Sequence, residues 1–123
     1  MNILFIEDEP NLQQILSKAF AKEGFSIVQA YDGDRGLQLA RETKPDLILL
    51  DIILPKKDGF AVLTELKKTD ETKNIPVVVL TNLDRDEDIE RVLELGALTY
   101  LIKTNYEIKD IVQKVRKILE SKA

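Results

Sequence analysis

The sequence contains no cysteine, histidine or tryptophan, and these absences exclude several classes of function. Without cysteine the chain has neither a disulfide nor a thiol nucleophile. Without histidine it lacks the commonest general base and transition-metal ligand, and it has no imidazole that could carry a phosphoryl group. The net charge of −4 argues against a partner that is nucleic acid or an anionic membrane.

Long hydrophobic runs are also missing. No segment approaches the roughly 18 apolar residues of a transmembrane helix, and the first residues, MNILFIEDEP, do not have the pattern of a signal peptide. We therefore expect a cytoplasmic protein that does not act on membranes. With 123 residues, 44% of them hydrophobic, the chain can bury a substantial core, and we expect residues 1–123 to form a single domain.

Short hydrophobic runs alternate with longer segments of helical periodicity. The runs are rich in leucine and β-branched residues, which is typical of strands. They cover residues 2–6, 25–30, 46–50, 76–80 and 99–102. Between them we predict a helix that ends before Gly24, helices at 34–43, 58–68 and 85–95, the last of which ends before Gly96, and a final helix from about Ile108.

The hydrophobic spacing also predicts which face of each terminal helix is buried. Residues that recur every three or four positions share one side of a helix. In the first helix these residues are Leu12, Ile15, Leu16, Ala19 and Phe20, and in the last helix they are Ile108, Ile111, Val112, Val115, Ile118 and Leu119.

This alternation predicts an α/β fold with a doubly wound, five-stranded parallel sheet and five helices. The runs LILL and VVVL are apolar at every position and suit central strands, whereas the mixed run FSIVQA suits an edge. In such sheets ligands bind beyond the carboxyl ends of the strands. The residues that follow the hydrophobic runs are therefore the candidates for a functional site.

Charged and hydroxyl side chains do follow these runs, namely Glu7, Asp8, Asp51, Thr81 and Lys103. Each has an ordinary structural interpretation when taken alone, since acidic residues cap helices and an aspartate can form a turn. Taken together they gather carboxylates, a hydroxyl and an ammonium at one edge of a sheet. Clustered carboxylates repel one another unless a cation such as Mg²⁺ binds them. With a lysine and a hydroxyl opposite, the arrangement suits a phosphoryl group, and Asp51 suits its nucleophilic acceptor.

Four motifs occur in order along nearly the whole chain: ILFIEDEP, LILLDIILPKKDG, IPVVVLTN and GALTYLIK. With these motifs the sequence resembles the CheY-like receiver domains of two-component response regulators. The resemblance implies a flavodoxin-like fold with strand order 2-1-3-4-5 and a function as a phosphorylation switch. It implies that Asp51 is the phosphoacceptor and that Mg²⁺ binds Asp51, Asp8, the carbonyl of Ile53 and, largely through water, Glu7.

The resemblance assigns the remaining site residues as well. Thr81 and Lys103 would bind the phosphoryl oxygens, and Tyr100 would turn inward on activation. Downstream proteins would then read the change on the face made by the fourth helix, fifth strand and fifth helix. Ile53 and Leu83, two residues after the acceptor and two after the threonine, would flank the approach of hydrolytic water.

Three residues depart from the usual pattern of the family. Glu7 replaces an aspartate, Asn82 replaces a small residue, and Thr104 follows Lys103 where a proline is usual. The bond before that proline is usually cis in the family. Because a cis bond before a non-proline residue costs about 3–4 kcal/mol, we predict a trans bond before Thr104.

The phosphodonor would be a partner histidine kinase or phosphotransfer protein, since this chain has no histidine. The protein would catalyse its own phosphorylation and dephosphorylation while acting mainly as a switch, either as a stand-alone receiver or as a phosphorelay intermediate. A receiver excised from a longer regulator and a non-signalling or engineered scaffold remain alternatives. Haloacid-dehalogenase-type phosphatases fit less well, because they need a second aspartate where Ile53 stands.

Overall fold

The computed structural model describes residues 1–122, over which five strands and five α-helices alternate. The strands are β1 (Asn2–Ile6), β2 (Ser26–Ala30), β3 (Leu47–Leu50), β4 (Val77–Thr81) and β5 (Thr99–Ile102). The helices are α1 (Pro10–Lys22), α2 (Gly33–Thr43), α3 (Gly59–Lys68), α4 (Asp86–Glu94) and α5 (Ile108–Lys122), and a 3₁₀ turn covers Lys103–Asn105. The predicted strands and the helices with predicted bounds are confirmed to within one residue at each end.

The strands form one parallel sheet in the order β2-β1-β3-β4-β5, which confirms the predicted doubly wound topology. Every residue of β3 and β4 is buried, as their hydrophobic runs predicted, and the mixed strand β2 lies at an edge. The chain leaves β1 toward β2 and returns on the other side of β1 to β3. The strand order therefore switches between β1 and β3, where sheets of this kind bind ligands.

Each face of the sheet carries its own hydrophobic core, because successive side chains of a strand point to opposite faces. In β1, Leu4 and Ile6 pack with residues of α2, α3 and α4, whereas Ile3 and Phe5 pack with residues of α1 and α5. The described part of the chain has no helix that is both long and apolar enough to span a membrane. The two cores hold the carboxyl ends of the strands at one edge of the sheet.

The predicted buried face of α1 is partly wrong. Ile15 is 52% exposed, whereas Gln13 is fully buried together with Leu16 and Phe20. The helix is rotated so that the Gln13 amide reaches backbone carbonyls at the end of the sheet. The face predicted for α5 is confirmed, with Ile111, Val112, Val115 and Leu119 buried and Ile108 and Ile118 packed against them.

Two glycines end helices as the sequence predicted. Gly24 follows α1 with φ +88° and Gly96 follows α4 with φ +110°. Residues other than glycine rarely adopt a backbone conformation with such a positive φ angle. Asp32 and Asp58 cap the N-terminal ends of α2 and α3, where their carboxylates accept hydrogen bonds from backbone amides. These local signals set the lengths of the crossover helices and so the positions of the strand ends.

Candidate functional site

The carboxyl ends of four strands bring the predicted polar residues to one edge of the sheet. Glu7 directly follows β1, Asp51 follows β3 and Lys103 follows β5. Thr81 was predicted to follow β4 but is its last residue, where it is fully buried. These four side chains thus come from segments far apart in sequence.

Asp51 is a buried carboxylate whose charge is compensated. It is only 3% exposed, and its Oδ2 atom accepts a 2.8 Å hydrogen bond from Nζ of Lys103. Its Oδ1 atom accepts a 3.0 Å hydrogen bond from the backbone N–H of Ile53. Its own N–H donates to the carbonyl of Ile6 on β1. The carboxylate is therefore held by both a cation and the backbone, which offsets the desolvation of its charge.

Gly59 fixes the loop that carries Asp51. Its N–H donates to the carbonyl of Ile52 at 2.8 Å. A Cβ atom at this position would lie 2.4 Å from Cα of Ile52 and 2.6 Å from the carbonyl oxygen of Asp51, so only glycine fits without displacing the backbone. Ile52, which directly follows Asp51, is buried in the core.

Glu7 and Lys103 form an ion pair, with 2.5 Å between Oε1 and Nζ. Burial raises the pKa of Glu7 to about 7, and the negative charge of Asp51 adds to this rise, whereas Lys103 opposes it. Burial lowers the pKa of Lys103, but hydrogen bonds to Asp51 and Glu7 outweigh that effect, so its pKa is raised overall. One ammonium thus contacts two buried carboxylates, and its single positive charge offsets only one of their two negative charges.

Carboxylate oxygens of Glu7, Asp8 and Asp51 all lie within 4.8 Å of one another, a spacing at which one cation could contact all three. Asp8 is exposed to solvent, whereas the other two are buried. Oxygen ligands of this kind suit Mg²⁺, which commonly keeps several waters in its coordination sphere. Ile53 reaches this cluster through its amide N–H, and the metal contact of its carbonyl stays a prediction.

Thr81 and Tyr100 do not bond to the acidic cluster. The buried Oγ1 atom of Thr81 has no hydrogen-bond partner among residues 1–122. The phenol of Tyr100 donates to the backbone carbonyl of Leu83, and its ring packs against the core beneath α4. Burial, together with the charges of Asp88, Asp51 and Asp84, raises the pKa of Tyr100 to about 12. The tyrosine therefore remains a neutral hydrogen-bond donor at physiological pH.

The backbone after β5 confirms one further prediction. The peptide bond between Lys103 and Thr104 is trans. These residues begin the 3₁₀ turn that leads toward α5. The Lys103 side chain reaches both buried carboxylates from this backbone.

Comparison of the sequence with known protein families agrees with the geometry of this site. A family model described as the response regulator receiver domain matches residues 3–116. The chain belongs to this family. Receivers are the phosphorylation switches of two-component signalling, which accept phosphate from histidine kinases and act on downstream effectors, and this receiver has the same general kind of function.

Two curated relatives illustrate the range of proteins that this receiver resembles. The receiver is 36% identical to sporulation initiation phosphotransferase F of Bacillus subtilis, across 98% of this chain and 95% of that protein. It is 38% identical to the DNA-binding dual master transcriptional regulator RpaA of Synechocystis, across 95% of this chain. The receiver spans about half the length of RpaA (48%) and of the other first matched regulators.

Solved structures share the fold. The BeF3-activated N-terminal receiver domain of Klebsiella pneumoniae RstA is 34% identical, with a TM-score of 0.88 over 97% of this chain and 98% of that one. The Mn²⁺-bound response regulator Rcp1 is 32% identical, with a TM-score of 0.78 over 95% and 90%. The phosphorylated cyanobacterial phytochrome response regulator RcpA is 30% identical, with a TM-score of 0.87 over 99% and 95%.

Sequence reasoning missed one polar residue beside the site. Gln13 is buried, and its side-chain amide bonds to carbonyls at the ends of β1 and β2. The sequence does contain a signal for this position. Gln13 lies three residues before Leu16 and seven before Phe20, and residues at those spacings share a helix face.

Proposed function

We propose that this receiver accepts a phosphoryl group on Asp51 from a phosphohistidine of a partner kinase or phosphotransfer protein. The observation that carries the proposal is the buried Asp51 carboxylate, held by Lys103 beside two further carboxylates at the switch point of the sheet. A carboxylate oxygen of Asp51 attacks phosphorus, the bond from phosphorus to the imidazole nitrogen breaks, and its electron pair stays on that nitrogen. The product is an aspartyl phosphate.

The acidic cluster is the proposed Mg²⁺ site. Asp8 and Asp51 would bind the ion directly, Glu7 mainly through water, and Ile53 through its carbonyl. The bound cation would offset negative charge on the phosphoryl oxygens during transfer. The Mn²⁺-bound form of the related Rcp1 supports a divalent cation in receivers of this kind.

Lys103 and Thr81 are the proposed protein ligands of the phosphoryl oxygens. Lys103 already contacts the Asp51 oxygen Oδ2, so its ammonium lies next to the atom that would carry phosphorus. Thr81 has a buried hydroxyl that lacks a partner in the described chain, and a phosphoryl oxygen would satisfy it. The phosphorylated state of the related RcpA is consistent with this assignment.

Incubation with acetyl phosphate, a small phosphodonor, and Mg²⁺ tests whether this receiver accepts a phosphoryl group. We expect intact-protein mass spectrometry to detect one added phosphoryl group per chain. Chelation of Mg²⁺ before the donor is added should reduce the modified fraction strongly. The absence of an added phosphoryl group with Mg²⁺ present, or equal modification after chelation, would contradict the proposal.

Phosphorylation is expected to shift a two-state equilibrium of the Thr81–Tyr100 region rather than to create a new fold. Thr81 would move toward the phosphoryl group, and Tyr100 would fill the space behind it. NMR shift changes on phosphorylation should therefore concentrate in α4, β5 and α5, the proposed docking face for a downstream protein. An Asp51→Asn variant mixed with the same donor is the control. Changes confined to α2 and α3 would contradict the prediction.

The downstream partner is proposed to be a protein that recognises this face. The resemblance to the phosphotransferase, which this chain matches along nearly its whole length, favours a phosphorelay or stand-alone role. The resemblance to transcriptional regulators favours a receiver that controls an attached output domain. Both routes use the same phosphorylation chemistry at Asp51.

A further inference from the structure

We infer that Gln13 is a positioning residue that sets the metal affinity of this receiver by fixing the backbone of its acidic loop. The inference rests on the proposed function, because the ion concerned is the Mg²⁺ proposed for the acidic cluster. Within the described chain, the Gln13 side chain donates hydrogen bonds to backbone carbonyls and to no carboxylate of the acidic cluster. It acts through the backbone of Glu7.

The amide of Gln13 joins three segments of the chain. Its Nε2 atom lies 2.9 Å from the carbonyl oxygen of Phe5 on β1, 3.1 Å from that of Glu7 in the loop, and 2.9 Å from that of Ala30 at the end of β2. The N–H of Glu7 donates to the same Ala30 carbonyl. Side-chain and backbone hydrogen bonds thus hold Glu7 at both its N–H and its carbonyl.

Only the nitrogen of the Gln13 side-chain amide has hydrogen-bond partners, which indicates that the residue acts as a donor. Two N–H hydrogens are shared among three carbonyl oxygens, while Oε1 is buried and has no partner in the described part of the chain. An unpaired buried oxygen is unfavourable. A hydrophobic residue would avoid this cost but would leave the three carbonyls without their shared donor.

The position of Gln13 on α1 ties the loop to the helix that follows it. Gln13 lies in the first turn of α1, where its N–H donates to the carbonyl of Glu9, and Pro10 fixes the first helical φ angle. Its side chain therefore reaches back from a rigid helix to the loop that precedes it. The Glu7 and Asp8 carboxylates extend from this loop toward Asp51, so their spacing depends on the same backbone.

Gln13→Met tests the inference, because methionine has a similar length and no N–H. Residues that orient metal ligands typically change metal affinity by about 10- to 100-fold when they are replaced. We expect Gln13→Met to raise the Mg²⁺ concentration at half-saturation by about tenfold or more in calorimetry. The rate of phosphorylation by acetyl phosphate at saturating Mg²⁺ should change little, since Asp51, Thr81 and Lys103 are intact.

Leu16→Ala is the matched control, because Leu16 is equally buried one turn further along the same helix and packs only within the core. This variant should unfold more easily and keep the native half-saturation by Mg²⁺. A purely structural role for Gln13 would give Gln13→Met the same behaviour as Leu16→Ala, and that result would overturn the inference.

A measurement on the native chain decides the question even if Gln13→Met does not fold. NMR should show slow solvent exchange of the Gln13 side-chain amide protons and a shift of their resonances on addition of Mg²⁺, with neither effect at the exposed Gln14. Exchange as fast as that of Gln14 would overturn the inference. If the native chain binds no Mg²⁺, the proposed function fails as well. If it binds Mg²⁺ and is phosphorylated while Gln13→Met keeps the native half-saturation, only this inference fails.

Discussion

Asp51→Asn is expected to abolish phosphorylation of this receiver by acetyl phosphate. Asparagine has the same shape, and its side-chain oxygen can accept one of the two hydrogen bonds that Lys103 and the amide of Ile53 donate to Asp51, although its NH₂ group cannot accept the other. A neutral amide, however, is not a nucleophile toward phosphorus. Intact-protein mass spectrometry with donor and Mg²⁺ should therefore detect no added phosphoryl group in the variant.

The variant should remain folded, which separates loss of chemistry from loss of structure. Glu7 keeps its ion pair with Lys103, and the repulsion between two buried carboxylates is removed. We expect a free energy of unfolding equal to or higher than that of the native chain, measured by urea denaturation.

Asp84→Asn is the control for the loss of a negative charge near the site. Asp84 is exposed in the loop after β4, and its charge is felt at Tyr100. This variant should be phosphorylated as the native chain is. Equal modification of Asp51→Asn and the native protein would show that Asp51 is not the acceptor.

The fold could be predicted from the sequence because its signals are local and repeated. Each strand is a short hydrophobic run, and glycines mark the ends of α1 and α4. Parallel strands joined by helices must place their carboxyl ends at one edge of the sheet. Glu7, Asp51 and Lys103 could therefore be grouped without knowledge of any distance.

The details of charge and helix rotation could not be predicted, because they depend on contacts across long sequence separations. Lys103 contacts Asp51, 52 residues earlier, and also Glu7, so that the pKa of Glu7 reflects both neighbours. Periodicity predicted a buried stripe on α1 that included Ile15. Gln13 is buried instead, because its side-chain amide donates hydrogen bonds to backbone carbonyls of β1 and β2. The hydrophobic pattern of the sequence does not reveal these carbonyls.

The phosphorylated state of Asp51 is expected to be long-lived. Hydrolysis requires a water in line with phosphorus on the side opposite the Asp51 oxygen, and such transfers depend mainly on positioning. The residues expected to flank this approach, Ile53 and Leu83, are apolar and cannot hold a water. Ile53 is 53% exposed and Leu83 packs partly against the core. We expect a lifetime nearer hours than seconds, because loss of one positioning contact commonly slows a reaction by about tenfold or more.

The decay of phosphorylated protein after donor removal measures this lifetime, and polar residues at the two flanking positions should shorten it. Combined Ile53→Asn and Leu83→Glu substitutions supply side chains that can orient the water, so decay should accelerate by about tenfold or more. Ile53→Asn alone changes an exposed side chain and should accelerate decay without loss of stability. Ile15→Asn is the matched control, since Ile15 is similarly exposed on α1, and it should leave the lifetime unchanged. Decay of the native protein within seconds, or equal decay in the native and doubly substituted proteins, would refute the idea that these apolar side chains protect the aspartyl phosphate.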